Sequence, residues 1–232
     1  MKKILITAVI LSFIAVTPAL IFSQEDEELT VEEFYLQNIE MIIIKEQAST
    51  LDRDSKLMAL KNIEKMLDEG SVSNGDPEVH YILDYLAQEG VGREINQSGR
   101  MINNMPIVRK EACTLLGELG GEDAKNTLVD IALKDVEPMV LSEAIYALGK
   151  LGLNENNQIS QTIASIVLSQ NTLGPDDNLA YSALLSLEKL ADANNGLNDP
   201  LAFQAIVAIA SGNYIRPVKM KANELLNKLR KY

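Results

Sequence analysis

Apolar residues recur along this chain at helical spacing. Val108, Ala112, Leu116 and Leu119 stand four, four and three residues apart, and Val140, Ala144, Leu148 and Leu151 repeat those offsets. Such spacing lays one stripe along an α-helix. Weaker copies follow the same template: Ala59, Ile63 and Met66; Leu179, Ala183, Leu187 and Leu190; Ala222, Leu226 and Leu229. Five alanines (Ala59, Ala112, Ala144, Ala183, Ala222) therefore share one slot, at separations of 53, 32, 39 and 39 residues. The long first interval contains residues 91–104, with two glycines, two arginines and no clean period, and removing those 14 residues brings it to 39. That stretch reads as an insertion, and no strand is expected anywhere in the chain.

A shorter apolar-periodic segment precedes each stripe, and helix start and stop signals frame both. Thr30 and Glu33 have the capping-box form, Pro77 and Pro106 suit first helical turns, and Gly70 and Gly90 can end helices. The expected fold is all-α: a right-handed α-solenoid of about five helix hairpins, over 30–70, 76–120, 122–152, 159–193 and 199–232. One hairpin cannot bury its apolar face alone, so stacking must supply the core. Tetratricopeptide repeats compete for this pattern, but the intervals scatter around their period and the aromatic signature is missing.

The N-terminus changes the picture. Met1-Lys2-Lys3 precedes an apolar run from Ile4 to Val16, followed by Thr17-Pro18 and then Ala19-Leu-Ile-Phe-Ser23. This is the order of a secretory signal, with cleavage expected after Ser23 and a periplasmic or secreted product. An uncleaved anchor is the alternative. Residues 24–29 then read as an acidic tether leading into the array at 30–232. The net charge of −12 becomes more negative once Lys2 and Lys3 leave, which argues against nucleic acid and anionic lipid as main partners. Cys113 is the sole cysteine, so no internal disulfide can form.

The stretch 105–152 resembles short bacterial HEAT repeats, whose pattern places Asp-x-x-Pro, then Val-Arg, then the slot alanine and Leu-Gly-x-Leu-Gly. The outer pairs share only the alanine and leucine placement. The resemblance implies a stack whose second helices line a concave, partner-binding side. Members often carry an arginine after the valine that pairs with aspartates in the turns. Arg109 fits, but Leu141, Ala180 and Lys219 take the later slots, so no arginine–aspartate ladder is expected. Gly117 and Gly149 follow the pattern, and close helix approach is expected to offset their low helix propensity. Some proteins with similar repeats are bilin lyases; a signal-like N-terminus and diverged outer repeats point away from that chemistry.

The chemistry-bearing residues are sparse. His80 is the sole histidine, Cys113 falls beside a core stripe, and no metal-ligand spacing or phosphate loop occurs. No cofactor is expected. Asp52, Asp54, Asp176 and Asp177 read as turn or helix-start carboxylates, with calcium as the weaker alternative. More informative are the positions two before and two after each slot alanine, which face away from the core at 100° per residue. There Tyr146, Tyr181, Leu185 and Met220 are apolar or aromatic where a solvated face should be polar. They are the candidate partner-binding residues, together with Arg93 and Arg100 of the insertion; burial among themselves in a closed superhelix is the competing reading. The C-terminal helix carries Arg216, Lys219, Lys221, Lys228, Arg230 and Lys231, a polar cap for the array or a contact for anionic lipid or an acidic partner. The expected function is a non-catalytic interaction scaffold with a protein partner. A structural component of an envelope-associated assembly is the alternative.

Overall fold

The computed structural model describes residues 31–232, with the side chains of residues 38–170 and 174–232. The signal, the acidic tether and the Thr30 capping box lie outside the described residues. Residues 38–232 form one compact unit, and of the described residues 31–37 belong to another.

Ten helices are described: α1 (Val31–Ser49), α2 (Arg53–Asp68), α3 (Pro77–Ala87), α4 (Pro106–Leu119), α5 (Gly121–Lys134), α6 (Pro138–Leu151), α7 (Gln158–Leu173), α8 (Asp177–Ala193), α9 (Pro200–Ser211) and α10 (Arg216–Leu229). Their starts follow from local chemistry. Asp52, Asp76, Asp176 and Asp199 each accept a hydrogen bond from a first-turn N–H. Proline opens α3, α4, α6 and α9, where a missing N–H costs nothing.

Packing is between neighbours in two rows. The even helices from α2 to α10 touch in succession, as do the odd helices from α3 to α9, and the rows join within α3–α4, α5–α6, α7–α8 and α9–α10. This is an all-α, HEAT-like solenoid. All five slot alanines are fully buried in the even row. Small side chains there let the helices approach, and the two mid-helix glycines extend the effect. A Cβ on Gly149 would lie 2.4 Å from Ser186 Cα, and one on Gly117 would lie 2.8 Å from Ala147 Cβ. Ser186, buried at that crossing, donates its hydroxyl to the Ile145 carbonyl at 2.6 Å.

The insertion departs from expectation. Residues 91–104 hold a β-hairpin, β1 (Asn96–Gln97) paired antiparallel with β2 (Arg100–Met101), so the expectation of no strand is wrong. Ser98 and Gly99 both take positive φ, at 52° and 76°, the two-residue turn that matches strand twist. Strands of two residues are too short to show alternation in sequence. The hairpin is anchored by Asn103, fully buried, which accepts from Ile95 N at 2.8 Å and donates to Glu89 Oε1 at 2.8 Å and to the Arg93 carbonyl at 2.5 Å.

Candidate functional site

Two sets of polar side chains and one exposed face could carry function. The first set is a buried ionic chain at the base of the hairpin. Lys56 donates to the Ala48 carbonyl at 2.8 Å and to Glu89 Oε2 at 2.9 Å, with both side chains essentially inaccessible. Arg109 forks onto both oxygens of Asp135 at 2.6 and 3.2 Å and donates to the Glu89 carbonyl and Asn104 Oδ1, each at 3.0 Å. Lys56 stands three residues before Ala59 as Arg109 stands three before Ala112. Arginine–aspartate pairing is confined to Arg109 and Asp135, and a Lys56–Glu89 pair stands one repeat earlier; this two-rung cation ladder stops where buried Leu141 and Ala180 replace the cation. Every group in it is partnered inside the protein, which makes it architecture rather than a reactive centre.

The second set is the pair of candidate nucleophile and base. Cys113 is fully buried, and desolvation, with Asp135 and Glu143 adding to it, pushes its thiol well above the ordinary range, so the thiolate needed for attack does not form. His80 lies within 3.2 Å of Thr127 Oγ1, and Thr127 in turn donates to Asp84 at 2.8 Å, so the imidazole is engaged with α5. Asp52 and Asp176 are helix caps, and Asp177 accepts from Ile215 N at 2.9 Å. Among the described residues no group of three or more His, Cys, Asp or Glu could hold a metal ion.

The exposed face belongs to the second helices. Tyr181 and Met220 are 41% and 50% exposed and line one shallow cleft of about 440 Å³ with Arg216, Pro217, Lys221 and Glu224. They are not buried among themselves. Tyr146 and Leu185 are half-buried, and Lys189 Nζ sits 5.4 Å above the Tyr146 ring. A second cleft, of about 470 Å³, lies among Lys110, Met139, Ser142, Glu143 and Asn178. Its Ser142 Oγ is buried without a hydrogen-bond partner among the described residues. Met139, Asn178 and Pro217 each stand five residues before a slot alanine, in the outward sector beside the positions two before and two after. Sequence reasoning used only the nearer offsets and so missed this row.

Two further groups of cations have partners. Arg93 is exposed, with its guanidinium 4.6 Å above the Tyr85 ring and 3.8 Å from Asp84, tying the hairpin to α3. Arg100, at the hairpin turn, remains exposed. The cations of α10 are partly engaged as well. Lys221 pairs with Glu188 at 2.6 Å, and Lys228 reaches Asp192 at 2.7 Å and Glu188 at 3.4 Å, stitching α10 to α8.

Comparison with known proteins bears on the same region. Residues 103–188 match the family model of HEAT repeats. Residues 103–188 carry HEAT repeats. The matched span runs from the base of the hairpin through α4 to α8, the part of the array that holds Arg109, Gly117, Gly149 and both tyrosines. HEAT repeats generally mediate protein–protein interaction, and the family consists mostly of non-catalytic scaffolds. No curated protein matches the chain.

Proposed function

We propose that this HEAT-repeat chain is an exported, periplasmic, non-catalytic scaffold that binds a protein partner across the outward side of α6, α8 and α10. The observation that carries the reading is the exposure of Tyr181 and Met220 side by side around one cleft, ringed by Arg216, Lys221 and Glu224. An aromatic and a methionine at the centre with charges at the rim is the anatomy of an interface anchor. Cys113 and His80 are accounted for by packing and hydrogen bonding. The apolar run Ile4–Val16 behind Lys2-Lys3 supports export.

The reading is tested by placing a photocrosslinking residue at position 224, on the rim of the same cleft, and analysing the envelope fraction, with Tyr181→Ser and Met220→Ser introduced beside it. A discrete adduct, whose recovery both substitutions reduce while the melting temperature stays within about 2 °C, is the expected result. Undiminished recovery in both variants would remove this face from consideration. Fractionation with N-terminal sequencing tests export: a product beginning at Gln24 is expected, and a cytoplasmic product retaining Met1 would contradict it.

A further inference from the structure

We propose that the cleft where the 154–157 and 194–198 turns meet Tyr232 binds a short neutral saccharide. The cleft encloses about 480 Å³, within the range of small-ligand sites, and no charged side chain lines it. The lack of a charged side chain is informative in a chain that is 23% charged with a net charge of −12. In place of charge the lining offers amides. Asn154 caps α7, accepting from Ser160 N at 3.0 Å. The remaining asparagines retain hydrogen-bonding capacity. Asn157 and Asn194 use only Nδ2, the first to the Asn198 carbonyl at 3.0 Å and the second to the Gly152 and Leu190 carbonyls at 3.0 and 2.8 Å. Their Oδ1 atoms are thereby oriented but unengaged by the protein.

Asn195 and Asn198 keep both ends of the amide unengaged by other described residues. Turn geometry accounts for asparagine at 157 and 195, whose φ values are 61° and 54°. It does not account for Asn198 or for the convergence of all four on one cavity. An amide presents a donor and an acceptor at a set spacing, and a hydroxyl is both donor and acceptor, so vicinal hydroxyls satisfy such a lining in full. A phosphate or carboxylate would need cations there, and a metal would need carboxylates.

Tyr232 supplies the second half of the chemistry. Its side chain packs against Gly196, where a Cβ would come within 3.0 Å of it, and its hydroxyl donates to Asp192 at 2.8 Å. The ring is thus held at one edge while the residue remains 58% exposed, a platform for the C–H face of a pyranose. Asp192 is paired with Lys228, so its charge is balanced outside the cleft. Five of the lining residues are asparagines, against the aliphatic or aromatic side chains of Leu197, Phe203 and Leu229, which favours a hydroxyl-rich ligand over a peptide with an apolar anchor.

The experiment is a titration of the ¹⁵N-labelled protein with maltotriose, cellotriose and chitotriose, with tri-alanine and glucose 6-phosphate as comparators. At least one trisaccharide should shift the side-chain amides of Asn195 and Asn198 with a Kd of about 1 mM or tighter. Asn198→Ala removes an amide that makes no side-chain hydrogen bond in the protein, and Asn195→Gly removes one at a position where glycine carries no positive-φ strain. Each should weaken binding roughly tenfold with an unchanged far-ultraviolet melt. No shift with any trisaccharide at about 10 mM, equal shifts with tri-alanine or glucose 6-phosphate, or unchanged affinity in both variants would each overturn the proposal.

Discussion

At the scale of single residues, burial decides what each polar group does. Arg109 is about 1% exposed and forks onto Asp135, so Arg109→Met leaves a carboxylate buried without its counter-charge. Breaking such a pair costs on the order of 3–5 kcal/mol, whereas replacing both partners by apolar residues of similar volume costs far less. Urea denaturation should show a large loss for Arg109→Met, and a recovery of at least half of it in Arg109→Met with Asp135→Leu. The same logic runs the other way at Gly149. Alanine gains about 1 kcal/mol of helix propensity, but its Cβ would stand 2.4 Å from the Ser186 backbone. Overpacking against backbone costs about 1–3 kcal/mol, and the crossing wins. Gly149→Ala is therefore expected to lower stability, and more than Gly117→Ala, whose nearest contact is a side-chain methyl at 2.8 Å. Equal or raised midpoints in denaturant would show that the even row can spread at no cost.

At the scale of elements, the C-terminal helix is attached by charge as well as by its apolar stripe. Burial works against ionisation of Glu188, but Lys221 and Lys228 together hold its carboxyl below the ordinary value; the bond from Lys228 does the same for Asp192 and raises the Lys228 ammonium in turn. A carboxyl whose folded pKa is depressed contributes stability that is present above its unfolded value, about 4, and is lost as pH falls through the folded one. A raised lysine contributes below its unfolded value, about 10.4, and loses that contribution as pH rises through the folded one. Amide exchange in α10 should therefore quicken relative to α6 below about pH 4 and again above about pH 10, and be slowest between. Asp192 is exposed and the other three groups are in part accessible to solvent, which screens them, so the effect is correspondingly modest. A protection ratio flat across this range would mean that Val218, Ala222, Leu225 and Leu229 alone hold the helix. The sequence made the α10 stripe legible, since its period is local. The partners of its cations were not, because Glu188 and Asp192 lie on α8, one repeat earlier. The hairpin shows a similar limit. Its strands carry no readable alternation, yet the Ser98-Gly99 pair was a turn signal in plain view, and only the buried Asn103 explains why the turn is held in place.

At the scale of the whole described unit, the array changes character along its length, and this was the least legible property of all. The slot alanines were readable because packing repeats with the helix period. The ladder was not, because Lys56 stands in for arginine and its acceptor Glu89 comes from the next pair, 33 residues on. The first rungs bury Lys56 with Glu89 and Arg109 with Asp135; in α6 and α8 the same position is apolar, with Leu141 3% and Ala180 2% exposed. Each rung needs a carboxylate at the end of the first helix of the following pair. Asp135 supplies it at the end of α5, whereas α7 ends at Leu173-Gly174 with no acid within its last turn. Family-like sequence alone, an arginine after the valine, is therefore insufficient to build a rung. Leu141→Arg restores the family residue but buries a guanidinium without an acceptor, which should cost several kcal/mol unless the side chain escapes to solvent. Leu141→Met, which conserves volume, should cost less than about 1.5 kcal/mol. Denaturant midpoints of the two variants separate the possibilities: a large gap means the ladder is set by the pairing of both residues across neighbouring repeats, and near-equal midpoints would mean that this part of the array tolerates a cation without a partner.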